Sequence, residues 1–149
     1  MLKNRSHTPY RLLLIEDNMD DVELTFEALK ESKTDLDIYH VSDGFAALRF
    51  LHQEDEYAEK PIPDLILLDL NLPVMDGREV LSTIREDQQL NHIPIIVLTT
   101  SSNDEDIRNA YKLNANCYIQ KPLDFNQFSQ IISKIDEFWL QLAKLPKER

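Results

Sequence analysis

Several polar side chains stand where short apolar runs stop. Residues 11–15 run into Glu16 and Asp17, residues 65–68 into Asp69, residues 93–98 into Thr99, and residues 117–120 into Lys121. Three carboxylates gathered at neighbouring strand ends would repel one another, and at least one would hold a raised pKa unless a cation sat among them. A hard divalent ion resolves that conflict. Magnesium in particular takes a few carboxylates and completes its shell with water and phosphate oxygens. A carboxylate in such a pocket can act as a nucleophile and form an aspartyl phosphate. Transfer of the phosphoryl group then depends on positioning and on charge stabilisation, which Lys121 can supply, while the Thr99 hydroxyl can hydrogen-bond a phosphoryl oxygen. Singly, a strand-end acid, a lysine before a proline and a strand-end threonine are ordinary solvated or structural residues. The set is what points to phosphoryl chemistry.

These residues are spread over more than a hundred positions, so the fold must bring them together. The run at 11–15 reads as a strand buried on both faces. Asn18 can cap a helix through about Ser32, with Val22, Phe26 and Leu29 on one face. Residues 36–42 alternate as an edge strand, and Asp43 caps a helix whose Ala47, Leu48 and Leu51 point inward. A charged loop with two prolines covers 53–63. A third strand at 64–69 leads through a loop at 71–77 into a helix marked by Val80, Leu81 and Ile84. The fourth strand covers 93–99, and Ser102 with Glu105 predicts a capping box for a helix ending near Leu113. A short strand at 117–120 precedes a long helix, capped by Asp124, that carries Phe128, Ile131, Ile132, Ile135, Phe138, Trp139 and Leu142. Five alternations of strand and helix predict an α/β fold: a doubly wound, five-stranded parallel sheet in the order 2-1-3-4-5 with helices on both faces. Its ligand site falls at the carboxyl ends of the strands, which places Glu16, Asp17, Asp69, Thr99 and Lys121 on one rim.

Composition narrows the function. A chain of 149 residues with 42% hydrophobic and 29% charged residues suits one globular domain, here 10–142, between an extension at 1–9 and a tail at 143–149. A net charge of -11 argues against nucleic acid, whose phosphates it could not neutralise. No apolar run approaches the ~20 residues of a membrane helix, and the polar start lacks a signal-peptide core, so a cytoplasmic protein with no membrane partner is expected. Cys117 is the single cysteine, which excludes an internal disulfide and predicts a buried small hydrophobe. None of His7, His40, His52 and His92 is expected at the rim.

The motifs Glu16-Asp17, Asp69-Leu70-Asn71-Leu72-Pro73-Val74-Met75-Asp76-Gly77, Thr99-Thr100, Tyr118 and Lys121-Pro122 resemble, in order and spacing, the receiver domain of response regulators, a CheY-like and flavodoxin-like fold. The resemblance covers roughly residues 10–142. It implies that Asp69 is the phosphoacceptor and Asp17 a magnesium ligand. Glu16 would contact the metal directly or through water, and Asn71 would give its backbone carbonyl. Thr99 and Tyr118 match the switch pair, and Lys121 the lysine that pairs with phosphoryl oxygens. A cis Lys121–Pro122 peptide is also implied, although only about 5% of X–Pro bonds are cis in general. Glu16 departs from the Asp found in many receivers. The phosphoryl donor would be a sensor histidine kinase, and the chain would catalyse only its own phosphorylation and dephosphorylation. Because the sequence stops soon after the last helix, output is expected through contacts with an unknown downstream protein. More narrowly, the Glu-Asp-Asn start, the loop at 53–63, Thr99-Thr100-Ser101 and Phe138-Trp139-Leu140 resemble the small regulators that partner cyanobacterial phytochrome kinases.

Two rivals share parts of this pattern. An aspartyl-phosphate phosphohydrolase uses similar pocket chemistry but usually carries a second acid two residues after its nucleophile, where this chain has Asn71. An FMN carrier would need a phosphate-cradling loop after the first strand, and the acidic run there would repel the cofactor. The last helix, ~28 Å long if it runs over 124–142, would outreach the sheet. Phe138, Trp139 and Leu142 then predict a homodimer or partner interface, unless they fold back toward Pro9 and Tyr10.

Overall fold

Ten regular elements alternate in a computed structural model that describes residues 9–146. They are β1 (Tyr10–Ile15), α1 (Met19–Leu29), β2 (Leu36–Val41), α2 (Gly44–Leu51), β3 (Leu65–Leu68), α3 (Gly77–Glu86), β4 (Ile95–Thr99), α4 (Asp104–Lys112), β5 (Cys117–Gln120) and α5 (Phe125–Ile135). The strands form one parallel sheet in the order β2-β1-β3-β4-β5, the common arrangement expected of five alternating strands and helices. His7 and nearly all of the expected N-terminal extension lie outside the described residues.

Alternation along the central strands builds two cores. Leu13, Ile15, Ile66, Leu68, Ile95 and Val97 face the side covered by α2 and α3, where Phe50, Leu81 and Ile84 are buried. Leu12, Leu14, Leu65, Leu67, Ile96 and Leu98 face the other side and pack with Val22, Leu29, Phe128 and Ile132 of α1 and α5. Each fully buried aliphatic side chain contributes about 1.5–3 kcal/mol relative to exposure. That explains why β3 and β4 are apolar at nearly every position, whereas the edge strand β2 is only half-buried. Registers Ile15↔Leu68, Leu68↔Val97 and Thr99↔Gln120 align the carboxyl ends at one rim.

Every α-helix starts on an Asn or Asp whose side chain accepts a backbone N–H of the first turn: Asn18, Asp43, Asp76, Asn103 and Asp124. Such a cap contributes about 1 kcal/mol. For α4 the cap differs from the expected Ser102–Glu105 box. Asn103 accepts from the N–H groups of Glu105 and Asp106, so the helix begins one residue later. The loop at 53–63 contains a short 3-10 turn, Asp55–Tyr57. No cis peptide occurs among the described residues, so Lys121–Pro122 is trans. That is the intrinsically favoured isomer by about 0.5–1 kcal/mol.

The final helix is the largest departure. The α-helix stops at Ile135, and Asp136–Leu142 continues in wider π turns closed by the Ala143 N–H donating to the Phe138 carbonyl at 2.7 Å. Asp136 anchors this segment. Its buried carboxylate accepts Ser32 Oγ at 2.8 Å and Gln141 Nε2 at 3.0 Å, tying the segment to the end of α1. The wider turns bring Leu140 and Leu145 into the α1–α5 core and lay Trp139 against it. Trp139 therefore does not stand clear of the domain, as the interface reading expected, because a core lies within its reach. Phe138 and Leu142 are 52% and 69% exposed. Cys117 is half-buried at the margin of the same core.

Candidate functional site

At the rim, β1 delivers Glu16 and Asp17 and β3 delivers Asp69. Carboxylate oxygens of the three lie within 4.8 Å of one another. Glu16 and Asp69 are buried and Asp17 is exposed, so the cluster is open to water on one side. Local bonds fix the acids: the Asn18 N–H donates to Glu16 Oε2 at 3.1 Å, and the Asn71 N–H to Asp69 Oδ1 at 3.1 Å. Beyond Asp69 the chain turns back sharply, with the Gly77 N–H donating to the Leu70 carbonyl at 2.9 Å. A Cβ on Gly77 would lie 2.3 Å from the Asp69 carbonyl oxygen and 2.6 Å from Leu70 Cα, so only glycine permits that approach.

Lys121 enters from the end of β5, its N–H donating to the Thr99 carbonyl at 2.6 Å. Its ammonium hydrogen-bonds Glu16 Oε1, Asp21 Oδ2 at 2.9 Å and Asp69 Oδ2 at 3.2 Å. Burial alone would lower its pKa, but the hydrogen bonds and charges of Asp21, Glu16 and Asp69 hold it above the ordinary lysine range. Burial pushes Glu16 up to about 7; the Lys121 hydrogen bond opposes this and the Asp69 charge adds to it. The two partners thus shift in ways that favour a charged lysine but an uncharged acid. The lysine is the firm half, because several acids share one ammonium and the surplus negative charge falls on them. As the carboxylates alone predict, one acid is poised to take a proton unless a further cation arrives. Three carboxylates, open to water and short of positive charge, fit a hard divalent ion.

Thr99 is buried at the end of β4, and its Oγ1 accepts the Asn71 side-chain amide at 3.3 Å. Tyr118 is half-buried beside the α2–α3 core, its hydroxyl donating to the Ser101 carbonyl at 3.0 Å. Glu16, Asp17, Asp69, Asn71, Thr99 and Lys121 are therefore gathered at one rim, with Tyr118 two strands from Asp69. Phe138, Trp139 and Leu142 lie on the segment after α5.

Two contributors were missed from sequence. Asp21 reads only as one of several acids, although its place three residues after the Asn18 cap puts it on the first turn facing the rim. His40 was expected away from the site. Its Nε2 instead lies 2.7 Å from the Glu16 carbonyl oxygen, because the parallel register sets β2 beside β1 at that end.

Comparison with known proteins agrees with this geometry. Residues 12–133 match the family model for the response regulator receiver domain. The chain belongs to that family. Response regulator Rcp1 of Synechocystis sp. is 43% identical over 145 residues, covering 97% of this chain and 99% of that protein. The crystal structure of the phosphorylated cyanobacterial phytochrome response regulator RcpA superposes with a TM-score of 0.91 at 48% identity, over 94% of this chain and 100% of that one. The Mn(2+)-bound form of Rcp1 gives a TM-score of 0.91 at 44% identity, over 93% and 100%. No helix among the described residues is long and apolar enough to cross a membrane.

Proposed function

We propose that Asp69 accepts a phosphoryl group from a phosphohistidine of a sensor kinase, and that the phosphorylated chain signals through protein contacts. The observation that carries this reading is the placement of the Lys121 ammonium 3.2 Å from Asp69 Oδ2, inside a cluster of carboxylates that lie within 4.8 Å of one another. Glu16, Asp17, Asp69 and the backbone carbonyl of Asn71 would hold magnesium. The ion, when bound, supplies positive charge to the phosphoryl oxygens. Asp69 is the nucleophile: its carboxylate oxygen bonds to phosphorus as the P–N bond to the donor histidine breaks, and the electron pair returns to the imidazole. Lys121 neutralises charge on the transferring group, and the Thr99 hydroxyl, whose oxygen accepts the Asn71 amide, donates its O–H to one of the phosphoryl oxygens. Thr99 and Tyr118 then act as the switch pair that reports phosphorylation to the surface.

The relatives support a phytochrome-class kinase as donor, since RcpA is described as a phytochrome response regulator. Phe138 and Leu142, both largely exposed, support a homodimer or docking surface on the segment after α5. The receiver domain is assigned to 10–142, and the protein is read as a signalling protein rather than an enzyme acting on other substrates. Incubation with acetyl phosphate and magnesium tests the core of this reading. Intact mass should rise by one phosphoryl group, Asp69→Asn should abolish the gain, and chelation of magnesium should suppress it. A gain that persists in Asp69→Asn would overturn the assignment.

A further inference from the structure

Arg78 and Asp106 lie on different helices and outside the acidic cluster, yet they are joined to Tyr118 by an unbroken chain of bonds. Arg78 follows the Asp76 cap of α3, and its Nη1 donates to both Asp76 oxygens, at 2.9 and 3.0 Å. Its Nη2 lies 2.9 Å from Asp106 Oδ1, in the first turn of α4. The other Asp106 oxygen, Oδ2, accepts the Ser101 hydroxyl at 2.7 Å. Ser101 sits two residues past Thr99, and its carbonyl accepts the Tyr118 hydroxyl at 3.0 Å.

The chemistry of each link makes the chain directional. A guanidinium is a planar fork, so an arginine that grips Asp76 presents its remaining N–H groups in one direction. A carboxylate held by arginine on one oxygen and by a hydroxyl on the other has one orientation, and charge-assisted hydrogen bonds of this kind are the stronger ones. The Ser101 hydrogen bond, followed by the Arg78 one, holds the Asp106 carboxyl below the usual carboxylate range. The irregular loop after β4 is thus fastened at Ser101 from the α3 side, and the same residue supplies the acceptor for Tyr118.

We propose that Arg78 and Asp106 form a latch that sets where Ser101 presents its carbonyl and so holds the Tyr118 ring in place. The two are positioning residues of the switch. Any movement of Thr99 toward a phosphoryl group has to work through a loop that this latch holds. The inference rests on the reading of Thr99 and Tyr118 as the switch pair and deepens it by naming what sets the position of the ring.

The test is fluorine NMR of the full chain labelled with 3-fluorotyrosine, with Tyr118→Phe identifying the Tyr118 resonance. Asp106→Ala, which leaves the Arg78–Asp76 contact alone, should move that resonance by at least a linewidth, and Ser101→Ala with Arg78→Met should move it in the same direction. The Tyr39 and Tyr57 resonances, on the α2 side, should stay in place. The Arg78→Met/Asp106→Ala double variant should shift Tyr118 no further than the larger single change. An unmoved Tyr118 resonance in Asp106→Ala, or fully additive shifts in the double variant, would overturn the latch. Treating wild type with acetyl phosphate and magnesium separates the two readings. If phosphorylation moves Tyr118 and Asp106→Ala does not, the latch falls and the switch stands. If Asp106→Ala moves Tyr118 and phosphorylation does not, the latch stands and the switch reading fails.

Discussion

Lys121 Nζ lies 3.2 Å from Asp69 Oδ2, a contact between the ends of β5 and β3 that joins residues 52 apart in the chain. The same ammonium also serves Glu16 and Asp21. Removing it would leave three acids crowded without their cation. Lys121→Met should therefore lower stability by about 3 kcal/mol at pH 8, the scale expected when one partner of a buried ion pair is lost. Phosphorylation by acetyl phosphate should slow by roughly 10²–10³-fold, as when a charge-stabilising donor is removed. Urea denaturation and the rate of mass gain measure the two effects. An unchanged midpoint would mean that the acids do not depend on the lysine.

Glu16 gives the metal-free protein a distinct pH response. Its pKa is raised from 4.5 to about 7, chiefly by burial. Between those values the folded chain holds a proton that the unfolded chain has released, so this group's stabilising contribution falls as pH rises through that window. Lys121 acts in another range: its raised pKa contributes stability that is fully present below the ordinary lysine value and is lost only at higher pH. Melting in chelator from pH 5 to 8 should show a decline that Glu16→Gln flattens. The same slope in both proteins would contradict the shift.

Magnesium should relieve the crowding of Glu16, Asp17 and Asp69. At ten times its dissociation constant a ligand specific to the folded state adds about 1.4 kcal/mol, or roughly 3–6 °C in melting temperature for a domain of this size. Asp17→Asn should raise the melting temperature of the metal-free protein, because it removes one of the competing acids, and should abolish most of the magnesium gain. Retention of the full gain in Asp17→Asn would exclude that residue as a ligand.

Phe138 and Trp139 pack edge to face, with ring centroids 5.4 Å apart, but point to different consequences. Trp139 lies against the α1–α5 core, so Trp139→Ala should lower stability by about 2–3 kcal/mol, below the figure for a fully buried tryptophan. Phe138 is largely exposed, and Phe138→Ala should cost under about 1 kcal/mol. In sedimentation, Phe138→Ala with Leu142→Ala should weaken a homodimer. A wild type that remains monomeric at high concentration would remove the dimer and leave partner docking as the role of this surface.

How far these relations could be read from sequence depends on their range. Residues 12–15, 65–68 and 95–98 are buried on both faces of the sheet, so their unbroken apolar character was a direct signal, and the polar residues that end them, Glu16, Asp69 and Thr99, marked the rim. Asp124 was legible as a cap because it stands alone at its helix start. At α4, Ser102 and Asn103 can both cap, and only the hydrogen bonds decide for Asn103. The π turns after Ile135 were not legible, and the segment is held by a contact of Asp136 with Ser32, 104 residues away, that no local pattern announces. Asp21 and His40 were missed for a related reason: one depends on a helix turn facing the rim, the other on the register of β2 against β1. The Arg78–Asp106 pair is equally hidden, because neither helix carries a pattern that names its partner.

The most direct test of the central claim locates the phosphoryl group. Protein phosphorylated with acetyl phosphate and magnesium can be reduced with borohydride, which converts an aspartyl phosphate to homoserine, and the modified position read by peptide sequencing. Homoserine at position 69 and nowhere else is the expected result. Homoserine at another acid, or a phosphoryl mass gain without reducible acyl phosphate at Asp69, would contradict the account.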